Sequence, residues 1–188
     1  MDATARTMKS PQTLSEADRR LVAEWAAICA ERVLPLFEAE RPDDGRPRAA
    51  IARAFAFARG ELDIAAEIRR RFADGGAARE AKSPAVVAAA RAAGQAAAVC
   101  HMGAHALGAA AYAAKAASLA AADRRQAADE ETDWQLAQMT VEVRAALRTL
   151  PPVGESRAGP LGPGLLASGQ LGEIIRKLQA ALAEREPG

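Results

Sequence analysis

The residues best suited to chemistry are His101 and His105. Placed four positions apart on a helix, two imidazoles share one face and can grip a single metal ion. Cys100 lies about 100° away around such a helix and faces its apolar stripe. No Glu follows His101, so the arrangement in which that Glu serves as the base of a zinc hydrolase is absent. A third ligand would have to come from another helix, and nothing in the sequence marks one. The simpler reading is a histidine pair that hydrogen-bonds neighbouring helices or faces a partner, with no metal and no cofactor. On a continuous helix His101, His105, Tyr112 and Lys115 form one polar track past Gly108, which lines a groove, an interface or an ordinary solvent edge.

Other constellations are weaker. Asp18, Glu24, Glu31 and Glu38 dot one helix, but carboxylates do acid–base work only in a shaped cleft, and on an amphipathic helix they read as a solvated face. There is no phosphate-binding loop, dinucleotide fingerprint or nucleophile elbow. Arg69, Arg70 and Arg71 point in three directions on a helix and read as a solvated end. With 25 basic against 24 acidic residues, the chain lacks the net positive surface of a nucleic-acid binder.

The elements that must carry these residues are helices. Half of the residues are hydrophobic and only 4% aromatic, because alanine fills much of the apolar quota. Alanine loses no side-chain entropy in a helix, whereas the β-branched and aromatic residues that strands need are sparse. The sequence therefore specifies an all-α, single-domain bundle of about six to seven close-packed helices, with a last helix after a Pro/Gly linker. Residues 1–13 read as a flexible tail, 14–150 as the helical domain, 151–164 as the linker and 165–188 as the C-terminal amphipathic helix.

Ser15 and Asp18 resemble a capping box that opens the first helix, and Pro35 predicts a kink or break in it. A second helix starts at Pro47, with Asp44 as a nearby cap, and stops at Gly60. A third spans about Glu61 to Phe72, and residues 77–82 read as loop or a ragged turn. Ser83 and Pro84 announce a long alanine-rich helix that breaks or bends near Gly103. Another helix runs from near Asp123 to Leu150, with Leu136, Met139, Val143, Leu147 and Leu150 inward. Its acidic turn, Asp129, Glu130, Glu131 and Asp133, is expected to be exposed, and Trp25 and Trp134 are expected in the core. Leu171, Ile174, Ile175, Leu178 and Leu182 give the last helix an apolar face that needs the core or a second copy of the chain as partner.

The alanine-rich stretch from Ala85 to Ala122 carries Arg91, Gln95, His101, His105 and Lys115, which makes it a poor membrane span. Cys29 and Cys100, both in apolar surroundings, and the lack of a secretory signal point to a reducing compartment, the cytoplasm.

Several stretches together carry a family resemblance. They are Trp25 to Glu38, with Cys29-Ala30-Glu31-Arg32-Val33-Leu34-Pro35 at its centre; Pro42 to Ile51, with Arg46-Pro47-Arg48; Ala92 to Ala98; His101 to Lys115; and Trp134-Gln135-Leu136. This order resembles a family of bacterial immunity proteins, small all-α proteins of toxin systems, some of which carry an exonuclease label. The resemblance spans roughly Leu14 to Met139; residues 69–82 depart from it and those after Leu150 lie outside it. It implies a protein that binds and neutralises a cognate toxin and is not itself an enzyme. Contact residues would then come from the polar track, His101, His105, Tyr112 and Lys115, with Arg46 and Arg48 beside the second helix. Two alternatives stand next to it: a metal-dependent enzyme centred on His101 and His105, and an oligomerisation module that uses the C-terminal helix.

Overall fold

The computed structural model describes residues 10–62 and 76–184. Among these the structure is all-helical, with eight α-helices and no strand. They are α1 (Glu16–Glu40), α2 (Arg46–Ala58), α3 (Gly76–Glu80), α4 (Pro84–Ala98), α5 (His105–Ala120), α6 (Arg124–Ala137), α7 (Val141–Arg148) and α8 (Gly169–Ala183), with a 3₁₀ turn at Leu165–Ala167 before the last. The described helices number one more than the upper expectation. The helix expected at Glu61 to Phe72 falls, from residue 63 on, outside the described residues, as does Arg69 to Arg71. No described helix is long and apolar enough to cross a membrane.

Ser15 caps α1 as its position promises, accepting the Asp18 amide at 3.0 Å and donating its hydroxyl to the Asp18 carboxylate at 2.7 Å. Of the kink or break expected at Pro35, the break does not occur: α1 continues to Glu40. Pro35 sits on the exposed face, while Val33, Leu34 and Phe37 on either side are buried and hold the helix to the core. The single helix expected from Asp123 to Leu150 is two. Thr140 caps a fresh start by accepting the Val143 amide at 3.2 Å, and the Arg144 guanidinium of α7 donates to the last-turn carbonyl of Leu136 in α6 at 2.8 Å.

Helices α4 and α5 form a hairpin that packs on α1, and α5 is enclosed on nearly every side by α1, α4, α6 and α8. Its buried residues are mostly alanines, so the axes around it can approach at about 8 Å, the short end of the usual range. The expected break near Gly103 is present: α4 ends at Ala98 and α5 starts at His105.

Three segments outside the helices close the core. The Gly103 and Ala104 amides donate to the carbonyls of Thr13 and Gln12 at 2.9 and 3.0 Å. Gln12 is fully buried and accepts the Leu161 amide at 2.9 Å. Residues 10–13 are therefore docked rather than loose. Leu14 holds a left-handed φ of 62°, costly for a leucine, and Gly103 makes room for its side chain where a Cβ would collide. Residues 151–164 lie along the surface with Leu161 fully buried, and Gln179 of α8 accepts the Val153 amide and donates to the Pro151 carbonyl. The apolar face of α8, Leu171, Ile174, Ile175, Leu178 and Leu182, is buried in the chain's own core, so it offers no surface to a second copy.

Candidate partner-binding surface

The helix break decides what the histidines do. His101 lies in the turn after α4 and His105 opens α5, so they do not share a helix. Their rings still meet edge to face, with centroids 5.1 Å apart. The His105 Nδ1–H donates to Oε1 of Gln95 at 2.8 Å, and Cys100 Sγ lies 3.9 Å from His101 Nδ1. Burial first, and His101 second, push His105 down to about 3, so the imidazole is neutral near pH 7. Among the described residues no group of three or more His, Cys, Asp or Glu side chains is arranged to hold a metal ion.

The polar track is not continuous. Tyr112 is buried, only 3% exposed, and its hydroxyl accepts from Arg91 at 3.1 Å while the Arg91 guanidinium lies 5.7 Å from the ring centre. Arg91 is exposed and stands on the surface where Tyr112 was expected. Gly108 is covered by Gln95 and Leu166, which leave no room for a Cβ. Lys115 is half-buried three residues beyond Tyr112.

Arg46 and Arg48 are elsewhere. Arg46 grips Asp44 at 2.6 Å and Glu80 at 2.7 Å, and Arg41 joins Glu80 at 3.3 Å. Arg48 makes a two-point pair with Glu38 at 2.7 and 2.8 Å. The Glu40 carboxylate accepts the Lys82 amide and the Ser83 hydroxyl at 2.9 and 2.7 Å, so Ser83 ties α4 to α1 rather than capping its own helix. Hydrogen bonds from Arg46 hold both Asp44 and Glu80 below the usual carboxylate range, and those from Arg48 do the same for Glu38. This cluster sits at the N-terminal end of α4 and the histidines at its C-terminal end, about 21 Å away at 1.5 Å per residue. The six residues read from the sequence thus do not form one surface: His101 and His105 meet, Tyr112 is buried, and Arg46 and Arg48 lie at the other end of α4.

A third place was not foreseen. Glu131, expected to be exposed, is only 6% so, and its Oε2 accepts from Arg32 Nε at 2.7 Å. Trp134, expected in the core, is half-buried because the Arg32 guanidinium covers it, 4.0 Å from the ring centre. Gln135, fully buried, donates to Glu131 Oε1 at 3.3 Å and to the Ala110 carbonyl at 3.1 Å, while its own carbonyl accepts the Trp25 indole N–H at 2.9 Å. Burial, and secondarily the Glu131 charge, push the nearby Cys29 thiol well up, which keeps it protonated. The one signal in the sequence was an Arg on α1 and a Trp three residues after a Glu on α6; nothing local pairs them.

The described helices form a packed all-α scaffold with a half-buried, neutral imidazole and charged groups at its surface. The chain belongs to the family described as "Imm-5 like putative immunity protein", which matches residues 12–142. The match runs from the buried Gln12 to the first turn of α7. No curated protein and no solved structure matches the chain.

Proposed function

We propose that this chain is an immunity protein that binds a cognate toxin in the bacterial cytoplasm and neutralises it by covering part of its surface. Family membership over residues 12–142 is the observation that carries this reading. The geometry supports it. A binding protein needs a preorganised surface, because side chains already fixed lose little freedom on association. The ion pairs between α1, α2, α3 and α4 and the packed α4–α5 hairpin supply that rigidity. The metal-enzyme alternative has two imidazoles and no third ligand among the described residues.

Affinity capture of tagged full-length chain from its native cells, with mass spectrometry and metal analysis of the same sample, is the test. One stoichiometric partner is expected, whose growth-inhibiting effect on co-expression is relieved by this chain. A captured partner that is harmless, or equally harmful with and without the chain, overturns the proposal. One bound metal per chain with no partner would instead transfer the function to His101 and His105.

A further inference from the structure

We infer that Arg32, stacked on Trp134 and braced by Glu131, is the anchor with which this protein takes a carboxylate from an acidic segment of its protein partner. The inference rests on reading the chain as a binding protein and names the chemistry of its contact.

The argument begins with what Arg32 does not do. Its Nε is used by Glu131 and its π face by Trp134, yet among the described residues neither terminal amino group makes a hydrogen bond. The side chain is 44% exposed while its carboxylate partner is 6% exposed. Guanidinium has five donors in a planar fork, and the pair of terminal nitrogens left over matches the two oxygens of a carboxylate.

The bracing is the second observation. A buried ion pair commonly adds no stability over apolar side chains of the same size, because both charges lose water. Here the interior goes further and orients the acid: the Ala110 carbonyl holds Gln135, Gln135 holds Glu131, and Glu131 holds Arg32. Such a chain fixes the rotamer of a long side chain that would otherwise lose its freedom on binding. Tryptophan and arginine are also the side chains over-represented among residues that dominate binding energy.

Charge selects the occupant. Within salt-bridge distance Arg32 has one carboxylate, Glu131, and the chain as a whole carries +1. A single outward guanidinium without a basic stripe suits one Asp or Glu side chain rather than a polyphosphate backbone.

The test needs no toxin. A random-peptide library is panned on immobilised full-length chain, and selected peptides are measured in solution. Peptides sharing an Asp or Glu are expected. Changing that residue to its amide should weaken binding to the unaltered protein about tenfold or more, that is about 1.4 kcal/mol. Arg32→Lys, which keeps the charge beside Glu131 but loses the fork and the stack, should weaken it similarly, and Trp134→Phe, which keeps a ring face, should weaken it less. Selected peptides without a carboxylate, indifference to the amide change, or no selected peptide overturns the inference. Because the toxin is absent, that failure leaves the immunity reading standing, and a harmless captured partner would leave this result standing.

Discussion

Two groups of charges bridge helices of this molecule, and they work in different surroundings. At the α2–α3 end, Arg41, Arg46 and Arg48 meet the solvated Glu80 and Glu38 and an Asp44 that is 10% exposed. At the α1–α6 edge, Arg32 meets a carboxylate that water hardly reaches. The contact distances are alike, 2.6 to 2.7 Å for the shortest in each. The consequences of losing them are not. An exposed carboxylate that loses its arginine regains hydration at once, whereas Glu131 would remain inside without a counter-charge. The difference separates pairs that trim the surface from a pair that commits the interior to one arrangement.

The largest effect should therefore come from Arg32→Ala. Urea denaturation should show a loss of about 2 kcal/mol, below the ~3–5 kcal/mol typical of a fully buried pair because Arg32 is half-exposed. A loss no larger than that of an exposed pair would erase the contrast. Adding Glu131→Gln to that variant should recover part of the loss, since the stranded charge is removed; the double-mutant coupling measures it. If the second change only deepens the loss, Glu131 contributes by shape and not by charge.

His105 sharpens the comparison with a half-buried group that stays neutral. It titrates near 6.5 when unfolded and at about 3 in the fold. Between those values the unfolded chain binds the extra proton, so the contribution is complete above about pH 6.5 and declines as pH falls toward 3. The urea midpoint should drop between pH 7 and pH 5, and His105→Gln should flatten that drop. An unchanged slope would mean that His105 accepts its proton in the folded state.

The smallest effect belongs to Arg46→Ala and Arg48→Ala. Glu38 is solvated while Asp44 is 10% exposed, so Arg48→Ala should leave the thermal midpoint unmoved and Arg46→Ala should lower it by less than Arg32→Ala does. Any clear loss of partner binding by these stable variants would assign the α2–α3 end to the interface, and no loss would confine it to structure.

The contrast also explains what the sequence could and could not reveal. Ser15, Pro84 and the break before His105 were legible because caps and glycines act within a few residues. The division between α6 and α7 was hidden by Leu136, Met139, Val143 and Leu147, whose spacing carries on across it although Thr140 marks a new start. Pro35 did not break α1, for a related reason: packing on both sides outweighs one missing hydrogen bond. The Arg32–Glu131 site was illegible. Its members are 99 residues apart, and Glu131 sits among Asp129, Glu130 and Asp133, which share its chemistry but are exposed. Tyr112, expected on a polar track, is buried beside Arg91 because helical spacing gives a residue's direction but not the neighbour that covers it.

The bond between Gln12 and the Leu161 amide spans 149 positions of the chain. On the ribosome it dictates an order of events. Helices α1 to α6 have left the exit tunnel while the cradle for Gln12 is still unfinished, and the docked amino-terminal segment finds its last partner only when residue 161 emerges. Until then the nascent protein must wait with part of its alanine core uncovered, the period in which a chaperone has most to protect.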